Sequence, residues 1–364
     1  MMLEAVTSLL MNSVPTIHPG TFWMPEQAST VAQDVDFTFD VITWISYFFF
    51  FAIVGVLVLF MVKYRRKSHS PTTEGPIHNT TIEIIWTVVP LLLVVVIFVV
   101  GMRGYLNLVE APEDSYDVSV TAQTWFWTFD HPQYGATQVG ELTVPVGKPV
   151  RLLMTSNDFL HSLWIPSFRV KMDAIPGRYT SLWFEATKVG DYRLLCTEYC
   201  GKDHSSMQAV VHVIPADEFE ARMVKLASEY EDMSVAQLPA YAINRLYNRC
   251  QSCHTLDGSE STGPTFSGMW DRVSSGNVAF TTGEKLDSLY GEGSEYVIPE
   301  NYIRTSLLDP QKHIVKGFLG AMPSFQGQLK EKQITAIIEM FKHLDEVVDV
   351  DGNIKVNTDG TPRQ

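Results

Sequence analysis

The chain has 364 residues with 27 Lys and Arg against 41 Asp and Glu, a formal net charge of −14, four cysteines, a hydrophobic fraction of 46% and a mean hydropathy of +0.03. The acidic balance argues against nucleic acid as a partner and suits a solvated outer surface able to meet basic redox proteins. The length admits two or three domains, and the hydropathy is high for a purely soluble protein.

Residues 1–39 read as an N-terminal extramembrane segment. A short apolar patch at residues 9–11 has no basic residue before it, which supports a cleaved signal peptide poorly, and the segment has no cysteine to carry a lipid. Residues 41–62 (VITWISYFFFFAIVGVLVLFMV) are uncharged and span about 33 Å as a helix, and residues 84–102 (IIWTVVPLLLVVVIFVVGM) span about 28 Å. Pro90 does not disqualify the second run, since neighbouring groups in a membrane helix re-satisfy the freed carbonyl. Residues 40–103 are therefore expected to form a two-helix transmembrane hairpin. Lys63, Arg65, Arg66 and Lys67 in its loop mark the cytoplasmic side and leave the rest of the chain outside.

Beyond Arg103 the texture changes to short runs rich in β-branched and aromatic residues. Runs at 118–123, 140–146, 150–155, 179–185, 191–196 and 208–214, separated by turn residues, predict a β-sandwich or barrel within a domain of residues 104–232. Phe219, Met223 and Leu226 then fall on one face of a helix over 216–230. A linker is expected at 233–239, followed by a helical unit at 240–345 whose last element carries Ile334, Ile337, Ile338 and Phe341 as one stripe. Residues 346–364 read as an acidic, disordered tail. There is no internal repeat, no phosphate-cradling glycine loop and no hydrolase triad.

All four cysteines fall in two motifs. Cys196, Cys200, His204 and Met207 lie within twelve residues, with His161 35 residues before the first thiol. Thiolate, imidazole and thioether donors select copper or zinc over hard cations. A mononuclear blue-copper site needs one Cys, two His and an axial Met; the second thiolate is surplus. Two bridging thiolates can hold a pair of coppers, each with one of His161 and His204. Met207 is then a weak axial donor to one metal, and the Glu198 carbonyl is well placed for the other. The alternatives are a zinc knuckle, whose histidines ordinarily pair at short spacing, and two buried cysteines without metal.

The second motif, Cys250-Gln-Ser-Cys253-His254, has the form that attaches haem c covalently, with His254 as one iron ligand. Three methionines could supply the other. Met269 is too near in sequence and Met340 belongs to the apolar stripe, whereas Met322 sits in a loop 68 residues after His254. A His/Met pair leaves no open coordination position for oxygen. His131, His212 and His313 show no metal-ligand pattern.

The segments Gln33-Asp-Val-Asp, Ile82-Glu-Ile-Ile-Trp-Thr, Thr124-Trp-Phe-Trp, Asp158-Phe-Leu-His-Ser, Asp173-Ala-Ile-Pro-Gly-Arg and Cys196-Thr-Glu-Tyr-Cys-Gly resemble subunit II of the haem-copper cytochrome c oxidases over residues 30–230. Residues 240–345 resemble a class I cytochrome c, and the fusion resembles the caa-type oxidases. The resemblance implies three parts: the membrane hairpin, a cupredoxin-like β-sandwich with a binuclear CuA centre, and an all-α cytochrome c domain. It implies a place in a bacterial cytoplasmic membrane, with the metal-bearing domains on the outer, periplasmic side. The implied partners are the catalytic subunit I and other oxidase subunits, membrane lipid and an external redox-protein donor. It further implies that Trp125 lies where electrons come in, that the Glu198 side chain reaches a magnesium ion at the subunit interface, and that Glu83 belongs to a proton-uptake path. The implied activity is that of an electron-input subunit of a proton-translocating terminal oxidase, with the oxygen-reducing site on another chain. A membrane-tethered copper carrier is the rival reading, which the haem motif disfavours.

Overall fold

A computed structural model describes Gly20, residues 22–66, Gly75 and residues 78–363. The apolar patch at 9–11 and Lys67 lie outside the described residues.

Two helices open the described chain, α1 (Ala32–Lys63) and α2 (Thr80–Val109). Their most apolar stretches have mean hydropathies of 2.7 and 3.0 with nothing buried. Phe48, Phe51 and Leu57 on α1 and Leu91, Val96 and Phe98 on α2 all face outward. A helix apolar on every side suits lipid or partner helices rather than water. Both helices overrun the 40–103 hairpin expected from composition. Asn79 caps α2 by accepting the Ile82 amide at 3.2 Å, while Glu83 takes the Asn79 amide at 3.2 Å. At the other end the helices continue until they meet the β domain, where the Trp183 indole donates to the Asn107 carbonyl at 3.1 Å. The described part of the expected segment 1–39 is docked on the sandwich. Ala28 and Thr30 hydrogen-bond to the Ser167 and Glu185 carbonyls, and α1 then begins at Ala32. Arg169, its backbone left-handed at φ 58°, donates to the two Asp36 oxygens at 2.7 and 2.9 Å, tying the start of α1 to the sandwich.

The sandwich comprises β1 (Tyr116–Gln123), β2 (Phe126–His131), β3 (Ala136–Val139), β4 (Glu141–Pro145), β5 (Pro149–Ser156), β6 (His161–Ile165), β7 (Val170–Ala174), β8 (Thr180–Glu185), β9 (Gly190–Cys196) and β10 (Gln208–Ile214). It forms two sheets, β3-β2-β1-β5-β8 and β4-β10-β9-β6-β7, and is cupredoxin-like. Pairing is antiparallel except for β1 with β5 and β10 with β4. Alternation along β1 and β5 sends Val118, Val120, Leu152 and Met154 inward, where they meet Leu163, Leu194 and Val211 of the other sheet. The helix expected after the sandwich is α3 (Ala216–Ser228), whose Phe219 and Met223 close one end of the core.

The remainder is built from helices and 3₁₀ turns joined by isolated β-bridges, including α4 (Leu238–Tyr241), α5 (Met269–Ser274), α6 (Pro299–Leu308), α7 (Glu331–Lys342) and α8 (Leu344–Val347). The expected linker at 233–239 is already packed at its end, since Leu238 is 1% exposed. The core of this unit reaches onto the sandwich. Phe126 of β2 and Val139 of β3 belong to it, and Phe126 stacks on Phe325 with centroids 6.2 Å apart. The disordered tail expected at 346–364 is corrected too. Val347 and Val348 are buried, Ile354 and Val356 pack against the core, and the Asn244 amide donates to the Val356 carbonyl at 3.1 Å. Alternating apolar residues inside an acidic stretch supply the docking that its charge and glycines conceal.

Candidate metal centre

Two strand ends and one loop assemble the first cluster. Cys196 ends β9, Met207 directly precedes β10, and the intervening loop returns through a short 3₁₀ turn at His204–Ser206. His161 begins β6, which pairs with β9 so that Leu163 lies opposite Cys196. The donor atoms of His161, Cys196 and Cys200 all lie within 4.8 Å of one another, and all three residues are buried. The sulfurs are 3.9 Å apart, far beyond a disulfide's roughly 2.05 Å, yet close enough for both to reach one metal at about 2.3 Å each. His161 Nδ1 stands 3.9 Å from the Cys196 sulfur and His204 Nδ1 3.4 Å from the Cys200 sulfur. The Met207 sulfur is 3.8 Å from that of Cys200, and the Glu198 carbonyl lies 3.4 Å from the Cys196 sulfur. Every donor expected from the sequence therefore lines one small volume, with an imidazole beside each thiol. Two sulfurs, each with its own nitrogen and a weaker donor, match a metal pair better than a single ion.

The electrostatics of this volume are uneven. Burial is the largest influence on both thiols and opposes their charge; at Cys196 the His161 hydrogen bond, two backbone bonds and the His161 charge together overcome it and lower that thiol, whereas burial and then the neighbouring Cys196 raise Cys200. Burial disfavours the His161 cation, yet hydrogen bonds to Asp158 and Cys196 lift the imidazole to about 9. Asp158, absent from the candidates read in the sequence, accepts from His161 Nε2 at 2.8 Å. Its signal was the Asp-x-x-His spacing. Although burial raises the Asp158 carboxyl, bonds from His161 and Thr124 hold it at about 2. With Nε2 tied to the carboxylate, Nδ1 is the nitrogen left for a metal.

Trp125 lies over this loop. Its indole donates to the Cys200 carbonyl at 3.1 Å, and its ring covers Gly201, where an added Cβ would fall 3.1 Å away. The Glu198 side chain is exposed. Glu83 serves as a reciprocal cap at the start of α2, which accounts for a charge at that point.

The second cluster surrounds a mainly apolar cavity whose lining includes Cys250, Cys253, His254, Met322, Ile337 and Phe341. Both cysteines are free thiols, and burial pushes Cys250 up to about 12. His254 Nδ1 donates to the Pro264 carbonyl at 2.7 Å, leaving Nε2 as the nitrogen available to a metal. Gly263 is required beside it, because a Cβ there would lie 2.6 Å from the ring. Gln311 holds the opposite loop by donating to the Gly320 and Met322 carbonyls at 2.6 and 3.3 Å. Two thiols, an oriented imidazole and a thioether around an apolar slot fit a covalently held porphyrin. Met340 is buried in the core as expected, and Met269 also borders the cavity. Three other histidines considered in the sequence have other partners: His131 bonds Tyr116 at 2.8 Å and Gln138 at 3.0 Å, His212 bonds Asp191 at 2.6 Å, and His313 bonds Glu295 at 2.9 Å.

The clusters face each other across the junction of the two units. Thr124, next to Trp125, lines the apolar cavity of the C-terminal unit. Lys202 donates to Thr262 at 3.5 Å, Gln328 to Gln123 at 3.3 Å and Arg245 to Glu141 at 3.3 Å.

Comparison with known proteins bears on both ends of the first part of the chain. Residues 17–103 match the family model for the cytochrome c oxidase subunit II transmembrane domain, and residues 139–214 match that for the periplasmic domain. The chain is 31% identical over 251 residues to cytochrome c oxidase subunit 2 of Thermostichus vulcanus, covering 54% of this chain and 76% of the relative. It is 28% identical over 230 residues to the Alkalihalophilus pseudofirmus counterpart, covering 60% and 67%. Among solved structures, the periplasmic domain of subunit II of cytochrome oxidase from Bradyrhizobium japonicum aligns at 29% identity with a TM-score of 0.32, covering 33% of this chain and 99% of that domain.

Proposed function

The chain belongs to the cytochrome c oxidase subunit II family, and from that premise we propose that it is a caa-type variant in which a fused class I cytochrome c domain feeds electrons to the family's copper centre. As a subunit II it is part of a haem-copper terminal oxidase, an oxidoreductase, and supplies electron input through CuA. His161, Cys196, Cys200, His204, Met207 and the Glu198 carbonyl hold the copper pair. Cys250 and Cys253 hold haem c, with His254 and Met322 on its iron. When bound, the two groups would supply one-electron redox chemistry in series between an external donor and subunit I, which carries the oxygen-reducing site.

The chain's own residues prepare that transfer. Burial of the thiols, with an imidazole beside each, presents sulfur and nitrogen in fixed places, so that little rearrangement accompanies a change of charge. The His254 ring is locked by Pro264, and Ile337 and Phe341 keep water from the porphyrin slot. Trp125 stands between the junction and the Cys200 carbonyl, which suits it to carry electrons in. The Glu198 side chain, exposed on the same loop, is available to a magnesium ion against subunit I, and Glu83 to a proton path at the other membrane face. The hairpin spans the bacterial cytoplasmic membrane with the two metal-bearing domains outside.

One observation carries the reading: the strand-connecting residues Thr124 and Trp125 touch both clusters, Trp125 at Cys200 and Thr124 at the cavity of the C-terminal unit. Rapid mixing of the holo-oxidase with a reduced donor protein, following haem and copper absorbance separately, tests it. Haem reduction precedes copper reduction in the parental chain, and Cys200→Ser leaves the first step intact while stalling the second. Unchanged onward flow in that variant contradicts the order.

A further inference from the structure

Asp158 lies between β5 and β6 and divides its two oxygens between the clusters. Oδ1 accepts from His161 Nε2 at 2.8 Å, from the Phe159 amide at 2.6 Å and from the Ser156 hydroxyl at 3.2 Å. Oδ2 accepts from the Thr124 amide at 2.7 Å and also from the Thr124 hydroxyl. Thr124 in turn lines the cavity holding Cys250, Cys253, His254 and Met322. One carboxylate therefore spans from a fully buried imidazole of the copper cluster to the residue that closes the haem cavity on the sandwich side.

We propose that Asp158 is a positioning residue that couples the two redox centres, fixing His161 toward the copper pair and, through Thr124, completing a hydrogen-bonded connection from the haem cavity to that ligand. The inference rests on the haem-to-copper reading above. It adds a second connection beside Trp125, and the two end on different ligands: His161 for Asp158 and Cys200 for Trp125. A carboxylate on the outer nitrogen of a metal-binding imidazole fixes tautomer and ring orientation, and its loss typically costs 10–100-fold in affinity or activity. In the transfer itself the haem iron is oxidised by one electron and the copper pair reduced by one. No bond is made or broken at Asp158 or Thr124, and neither changes protonation.

Thr124→Val separates the two tasks, because it removes the hydroxyl while keeping the amide and leaves the His161–Asp158 bond untouched. Asp158→Asn keeps an acceptor for His161 but turns a donor toward the Thr124 amide. Asp158→Ala removes both. The measurement uses the intact holo-oxidase, with the haem photoreduced by a soluble ruthenium complex and internal transfer read from haem reoxidation. Copper content and the copper paramagnetic spectrum are recorded alongside. Thr124→Val is expected to keep the parental copper spectrum and slow the internal step by about tenfold, the lower bound for losing an outer partner. Asp158→Ala is expected to lose copper affinity by roughly 10–100-fold and to alter the spectrum. Parental transfer rates in both Thr124→Val and Asp158→Asn overturn the coupling role. A parental copper affinity and spectrum in Asp158→Ala overturn the positioning role. Absence of haem or copper from the parental chain is a separate failure, belonging to the functional reading, and is scored first by metal and haem analysis.

Discussion

Gly263→Ala is a small substitution with a calculable consequence. A Cβ at this position falls 2.6 Å from His254 Cε1 and 3.0 Å from both ring nitrogens. Ordinary carbon contacts begin near 3.5 Å, so the ring must retreat by about 1 Å or the loop must give way. The loop is tethered on both sides of the glycine's peptide, by Gly263 N to Cys253 O at 2.8 Å and Ser261 N to Gly263 O at 3.3 Å. The ring therefore moves, and its 2.7 Å bond to the Pro264 carbonyl stretches beyond hydrogen-bonding range. Leaving that buried pair unmade costs roughly 1–3 kcal/mol. The thioethers proposed at Cys250 and Cys253 would not depend on this bond, so a haem attached there would stay in place while the His254 imidazole is misaligned. If the loss differs tenfold between the two iron states, the one-electron potential shifts by about 59 mV. The assay compares haem per chain, the visible spectrum, the midpoint potential and the thermal midpoint of the purified full chain. Retained haem with a shifted potential and a lowered thermal midpoint is the expected result. An unchanged spectrum, potential and thermal midpoint refute the placement of His254.

Three further outcomes follow from other parts of the fold. Burial holds His131 at about 4, below its ordinary 6.5, so the unfolded chain binds the extra proton between those values; up to roughly 3 kcal/mol of stability present above pH 6.5 is lost as the pH falls toward 4. His131→Gln should flatten that dependence in chemical unfolding across this window, and an unaltered slope counts against it. Arg169→Ala leaves the partly buried Asp36 carboxylate at the start of α1 without its partner and should cost roughly 1–3 kcal/mol, read as a lowered thermal midpoint in detergent; an unchanged midpoint means the pair does not anchor the hairpin. Phe325→Ala removes the ring stacked on Phe126, and should make residues 233–239 more susceptible to protease while haem attachment is retained; equal digestion of parent and variant argues that the two units are held by other contacts.

The copper cluster was legible because four of its donors fall within twelve residues and their chemistry is narrow. The Cys250–His254 motif is equally compact in the sequence. Links between distant segments were not. Asp158 and Thr124 are 34 positions apart, and only the pairing of β1 with β5 and the turn after β5 bring them together. Six strands announced themselves by alternation or by β-branched residues, but β2 is buried along nearly its whole length and β6 is almost as continuously covered. Phe126 in β2 faces the C-terminal unit, so the usual solvent face is missing and no alternation remains to be read. The tail misled in the opposite way: its charge lies on turns, while the few apolar residues between them decide where it packs. The hairpin boundaries moved because helices end where caps and the sandwich stop them, and composition records only the apolar middle.

We propose that Cys196 and Cys200 share a pair of coppers that takes its electrons from a haem on the same chain. Paramagnetic resonance of the purified, fully loaded oxidase, recorded with copper and haem quantified per chain, tests it most directly. Two coppers in this subunit for each haem c are expected, with hyperfine structure from one electron shared over two equivalent nuclei. A spectrum localised on a single copper, or a chain that carries copper but no covalent haem, contradicts it.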